Sequence, residues 1–190
     1  PILSVVAPPL VSPEGAVAIP DATGAGLAAA ASLLDAAGDV PVTVHLDPEI
    51  ITATRDSGDP AAGSQLTSLL SAVGAKPVLR SSWVPVDLES CAASGSVASF
   101  QASLPAGEKA LADALGRAPD GNIWPPDPTL GPQGIGWLRS SGVRHLVLDS
   151  DQVADAKELG DDAGTTQRFR VDAADSGLDG LVVDPVVDDR

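Results

Sequence analysis

The chain has 190 residues, room for one domain with a sizeable core, and its 11 basic against 26 acidic side chains give a net charge of −15. That charge argues against nucleic acid and anionic membrane surfaces as partners. A single cysteine, Cys91, allows no internal disulfide, and with two Phe, three Trp and no Tyr the core falls to Val, Leu, Ile and Ala.

Ile2 to Ala7 predicts a short apolar strand, followed by a Pro-rich loop from Pro8 to Pro20. Gly24 to Gly38 has helix composition, with Leu27, Leu33 and Leu34 near one face and Gly38 as its stop. Pro41 to Leu46 is the second strand. Asp47 then caps a short helix through Arg55, and Asp59-Pro60 starts another that carries Leu66, Leu69, Leu70 and Val73 and ends at Gly74. Pro77 to Arg80 is the third strand and Val86 to Ala93 a brief helix. Ser94 to Ser103 reads as irregular, with a helix from Pro105 to Gly116. Asn122 to Trp124 is a very short fourth strand, Leu130 to Ser141 a helix, and Val143 to Leu148 the fifth strand. Thr166 to Asp172 and Leu178 to Val183 flank an Asp-Ser-Gly turn and can pair as a hairpin, the second of them being the sixth strand.

An Asp-Pro pair follows an apolar, strand-like run at Asp47-Pro48, Asp127-Pro128 and Asp184-Pro185. An Asp side chain accepts a backbone N–H at a helix start, and Pro suits the first helical position, whose N–H has no helical partner. The repeated unit is therefore strand, turn, capped helix. Strands alternating with helices predict a parallel sheet, either an incomplete (β/α) barrel of about six strands or an open doubly wound sheet. No linker divides the chain, so one domain is expected over residues 1–190. It opens on Pro1 and contains no Met, and is read as a segment of a larger protein.

Candidate chemistry gathers at strand ends, where such folds place their sites. His45 and Asp47 share one strand face while Val42, Val44 and Leu46 share the other. Together His45 and Asp47 could bind a metal or act as an acid–base pair, or be an interior His beside a helix cap. Capping alone predicts that Asp47→Ala costs about 0.5–2 kcal/mol. Asp149 and Asp184 end the fifth and sixth strands and could form a glycosidase pair, or serve as caps and turn residues. Arg80, Trp83, Trp124 and Asp127 follow the third and fourth strands as ligand-binding candidates. The guanidinium can grip an anion and an indole can stack on a sugar ring. Burial is the plainer role for Trp124, and Trp137 and Cys91 are expected in the core. The Gly131-to-Gly136 run follows no phosphate-binding strand turn and is no dinucleotide fingerprint.

The runs Val42-Thr43-Val44-His45-Leu46-Asp47-Pro48, Ile123-Trp124-Pro125-Pro126-Asp127, Gly142-Val143-Arg144-His145-Leu146-Val147-Leu148-Asp149 and Leu178-Asp179-Gly180-Leu181-Val182-Val183-Asp184-Pro185 occur in that order. Together they resemble the extracytoplasmic region of an uncharacterised actinobacterial family of membrane-anchored proteins, encoded beside the lipid II flippase of the MviN/MurJ type. That resemblance implies a barrel like those of polysaccharide deacetylases and glycoside hydrolase family 57, placed in the cell-envelope space. It further implies a tether to the membrane through regions outside this segment. Deacetylases carry paired Asp after the first strand and a His-x-x-x-His metal pair. Here Pro8-Pro9 stands after the first strand, and the two His, His45 and His145, lie a hundred residues apart. Family members tend to carry an aromatic-Gly-Asp-Pro-Asp run after the third strand, where this chain has Ser82-Trp83-Val84-Pro85-Val86-Asp87. The expectation is a non-catalytic envelope module without metal or other cofactor, binding cell-wall glycan or an envelope protein. The alternative is a carbohydrate-active hydrolase or deacetylase using strand-end carboxylates. A barrel of this lineage would also leave an open seam flanked by Ile2 to Val6 and Leu181 to Val183.

Overall fold

A computed structural model describes residues 1–12, 14–149, 168–173 and 176–183. In chain order the elements are β1 (Ile2–Val5), α1 (Asp21–Ala37), β2 (Thr43–Leu46), α2 (Pro48–Asp56), α3 (Pro60–Val73), α4 (Leu88–Ala93), α5 (Val97–Leu115), β3 (Ile123–Trp124), α6 (Pro132–Ser140), β4 (His145–Asp149), β5 (Arg168–Ala173) and β6 (Ser176–Val183). The fold is mixed α/β with parallel strands, and among the described residues neither of its sheets closes into a barrel. Two compact units divide the chain, Pro1–Val86 with Ser99–Asp120, and Asp87–Ala98 with Gly121–Arg190. Among the described residues no helix is long and apolar enough to cross a membrane.

In the first unit β1 and β2 pair in parallel from Ile2↔Thr43 to Val5↔Leu46. The expected third strand survives as single parallel bridges, Val44↔Val78 and Leu79↔Asp120. Val44 N donates to Pro77 O at 2.8 Å, Leu79 N to Val44 O at 2.9 Å and Asp120 N to Val78 O at 2.7 Å. Alternation then sorts the side chains. Leu3, Val5, Val44, Leu46 and Val78 pack with Leu27 and Leu34 of α1 and Leu66, Leu69 and Val73 of α3. The valine face of β2 is thus the helix-covered one, as its pattern indicates.

Two expectations for this unit need correction. Leu33 is 59% exposed, because the buried stripe of α1 is Leu27, Ala30, Ala31 and Leu34, and Leu33 falls about 100° from Leu34 around the helix. The helix expected from Pro105 begins at Val97 and runs through the proline. Phe100, Leu104, Gly107 and Leu111 carry one buried stripe across the whole length, which outweighs a proline cost of about 3 kcal/mol. Pro105 and Gln101, whose carbonyl loses its donor, are both exposed, so water can serve that carbonyl. Gly107 is required for close approach: a Cβ there would lie 2.3 Å from the Ser81 carbonyl oxygen.

In the second unit the strand order is β3-β4-β6-β5. The first three run parallel, and β5 pairs antiparallel to β6 from Arg168↔Leu181 to Ala173↔Ser176. The hairpin therefore forms, and it changes the expected seam: β6 lies between two partners, so Leu181 to Val183 are not an open edge. Asp87 caps α4, its Oδ1 accepting from Ser90 N at 2.9 Å and its Oδ2 from Ser90 Oγ at 2.6 Å. Glu89 Oε2 accepts the Gly134 N–H at 2.9 Å in the first turn of α6. A Cβ at Gly131 would sit 2.5 Å from the Glu89 carboxyl carbon. The glycine run thus makes room for a carboxylate of the chain itself. Trp137 and Cys91 are half-buried rather than core, since Gly134, Ile135 and Leu138 form the buried side of α6 and Leu88 that of α4.

Candidate functional site at the carboxyl end of β2

The strongest concentration of buried polar groups lies where β2 passes into α2. Asp47 is 4% exposed and Glu49 2%. Asp47 Oδ1 accepts the Glu49 N–H at 3.0 Å, and Pro48 occupies the first helical position. Glu49 turns back to the Pro-rich loop, where its Oε1 accepts from Leu10 N at 3.1 Å and Val11 N at 3.0 Å. Leu10 is thereby held in the core at 4% exposure. The loop closes on itself through the Ala18 N to Leu10 O bond of 3.0 Å and the antiparallel bridge Val11↔Val17.

Each of these two carboxylates is only half satisfied. Asp47 Oδ2, Glu49 Oε2 and Thr54 Oγ1 are buried and find no hydrogen-bond partner among the described residues. Burial raises the pKa of Asp47 from 3.8 to about 6, the Glu49 N–H pulling it down and the Glu49 charge pushing it further up. Burial lowers His45 from 6.5 to about 4, so its imidazole is neutral at pH 7. The His45 backbone pairs in register with Ser4 of β1, on the face away from the valines.

The third-strand position places Arg80 at 9% exposure. Its guanidinium forms an ion pair with Glu108 of α5, the Nε to Oε1 distance being 2.7 Å. Trp83 is half-buried, and its backbone N–H reaches Ser103 O at 2.9 Å and Ser103 Oγ at 3.0 Å. In the second unit Trp124 is buried in β3 at 5% exposure. Asp127 folds into a local turn, its Oδ1 accepting from Thr129 N at 3.0 Å and Thr129 Oγ1 at 2.7 Å. Asp149 closes β4 opposite Val183 in the register, and Asp184 lies outside the described residues. His145 Nδ1 stands 3.8 Å from Asp179 Oδ2, both side chains being well exposed.

The structure thus brings His45, Asp47 and Glu49 to one strand end and pairs Arg80 with Glu108. Among the described residues no three His, Cys, Asp or Glu side chains converge as metal donors. Glu49 and Glu108 are the members that pattern reasoning misses. An acid in the first turn of a helix is ordinarily a solvated complement to the helix dipole, and nothing in the spacing announces that Glu49 reaches back 39 residues to Leu10.

No family model and no curated protein matches the chain. Four solved chains match it in structure. One is the 4-α-glucanotransferase of Thermococcus litoralis, a glycoside hydrolase family 57 protein, with a TM-score of 0.59 at 14% identity over 82% of this chain. The chain spans 23% of the length of that protein. The likeness is one of fold alone.

Proposed function

We propose that this chain is a binding module of the cell envelope, built on an incomplete barrel of the deacetylase and glycoside hydrolase 57 type. It holds cell-wall glycan or an envelope protein and does not turn it over. One observation carries the reading: the two buried carboxylates at the end of β2 are engaged in holding backbone. Asp47 caps α2, and Glu49 clamps the loop at Leu10 and Val11. A general acid or nucleophile must face its substrate from an accessible pocket, whereas these two are 4% and 2% exposed. The parallel run of β1, β2, Val78 and Asp120 and the glucanotransferase-like fold support the barrel lineage. Residence in the envelope and a membrane tether outside this segment follow from the family resemblance and belong to the same proposal.

The rival reading, a carbohydrate-active hydrolase, has one observation in its favour. The Asp47 carboxyl, raised to about 6, has the kind of displaced pKa that catalytic acids show. Incubation with purified peptidoglycan and with acetylated and unsubstituted glycan oligomers separates the two. The module reading expects co-sedimentation or saturable binding without release of reducing ends or acetate. Turnover that disappears in Asp47→Asn, with the fold retained by circular dichroism, would overturn it.

A further inference from the structure

β1 bonds to β2 through alternate residues: Thr43 N donates to Pro1 O at 2.9 Å and Asp47 N to Val5 O at 3.1 Å. In a parallel pair the intervening residues turn their N–H and C=O groups the other way. Ile2, Ser4 and Val6 therefore present theirs along an edge that no described strand covers. Beside that edge runs an apolar groove of about 410 Å³. Leu3, Val5, Leu27 and Ala30 line it together with Leu33 and Ile50. Val6 and Leu33 are each 59% exposed, which is costly for large aliphatic side chains and unusual in combination with a bare strand edge.

The two features specify the shape of an occupant together. Free backbone groups at strand spacing call for an extended chain, and a groove beside them takes that chain's alternate side chains. A helix would fill the groove and leave the edge unbonded. Charge then selects among extended chains. The unit that carries the groove has 11 acidic and 5 basic side chains, so a second copy meets like charge, whereas a cationic segment is drawn toward it. Asp21, at the start of α1 next to the groove residue Ala22, is exposed and adds to that field.

We propose that the free edge of β1 receives an extended segment of another protein, apolar at alternate positions and flanked by Lys or Arg. This rests on the reading of the chain as a binding module, and names the face and the partner class. Gly26 provides the means of testing it. It lines the groove, and a Cβ placed there meets nothing within 4 Å. Gly26→Leu therefore starts its side chain in open space and extends it into the groove while improving helix propensity.

The probe is a fluorescein-labelled peptide of alternating valine and threonine with two lysines at each end, titrated by anisotropy at low salt. Saturable binding is expected, weakened about tenfold or more by Gly26→Leu and by replacing the lysines with glutamates. A peptide N-methylated on the amides of one edge should fail equally, a control that requires no altered protein. Equal affinity for Gly26→Leu, indifference to N-methylation, or no binding at all would overturn the proposal. So would concentration-dependent dimerisation of the wild type that Gly26→Leu abolishes, since the occupant would then be a second copy. Glycan binding without peptide binding sinks this inference and spares the module reading, whereas glycan turnover sinks the module reading itself.

Discussion

Removing the Asp47 charge while keeping its cap should stabilise the protein at neutral pH. The folded carboxyl titrates at about 6 against an ordinary 3.8. Between those values the native state binds more protons than the unfolded chain, so stability falls as pH rises through the window. At ~1.4 kcal/mol per pH unit the full displacement costs about 3 kcal/mol above pH 6. Asp47→Asn keeps an oxygen to accept the Glu49 N–H and cannot ionise. It should be about 2–3 kcal/mol more stable than wild type at pH 8 and nearly equal to it at pH 3.5. Asp47→Ala also sheds the charge but loses the cap, worth about 0.5–2 kcal/mol, so it should fall below Asp47→Asn at every pH. Urea melts of the three proteins at both pH values decide the matter. An Asp47→Asn protein less stable than wild type at pH 8 would refute the account of the carboxylate as a buried, half-satisfied charge.

His45 contributes the opposite slope. Its folded pKa is depressed from 6.5 to about 4 by desolvation, so the unfolded chain takes up the proton first and stability is lost as pH falls through that window; its imidazole C–H resonances should stay constant from pH 8 to 5.5, and a midpoint near 6.5 would contradict desolvation of this half-buried ring. Glu49→Ala should cost about 2–4 kcal/mol, since two N–H groups lose a charged acceptor, and should accelerate amide exchange at Leu10 and Val11 in particular. Unchanged exchange there would disprove the clamp. Gly107→Ala should destabilise by about 2 kcal/mol or more although Ala is the better helix former, because its Cβ meets backbone atoms of Ser81, Ser82 and Trp83 at 2.3 to 2.7 Å. A neutral or stabilising Gly107→Ala in urea unfolding would mean that α5 can lift from that segment.

Most of the fold was legible because its signals are local. Asp59-Pro60 announces α3, and Asp59 Oδ1 does accept the Ala61 N–H at 2.8 Å. Asp47-Pro48 announces α2 in the same way, and the alternation of Val42, Val44 and Leu46 identifies the buried face of β2. What escaped depends on distant partners. Pro105 signals a helix start on propensity alone, yet Phe100 is 2% exposed and burial of that ring carries the helix back to Val97. Leu33 has the composition of a core residue and becomes exposed because the neighbouring stripe is the one that meets β1, β2 and α3. The candidate site divides along the same line. His45 and Asp47 were found because a strand's period of two is visible in one segment. Glu49 and Glu108 were not, since their partners Leu10 and Arg80 are brought to them only by the completed fold.

The position of Asp47 shows how one residue can look catalytic and be structural. A strand that ends at the face where such folds bind ligands delivers its last side chain toward that face. If a helix starts immediately afterwards, the same side chain is the nearest acceptor for the helix's free N–H groups. Here Pro48 starts that helix without a gap, and Asp47 Oδ1 is taken by Glu49 N at 3.0 Å. Catalysis would need the carboxylate released from the cap and open to a ligand. The cap instead holds it at 4% exposure, where its displaced pKa measures the cost of burial. A raised pKa therefore does not by itself distinguish an active site from a buried cap. Response to ligand does: a catalytic carboxylate shifts its titration when substrate analogue binds, whereas that of Asp47 should stay at about 6 in the presence of saturating glycan. A shift in the Asp47 carboxyl ¹³C titration on adding glycan would reverse the assignment.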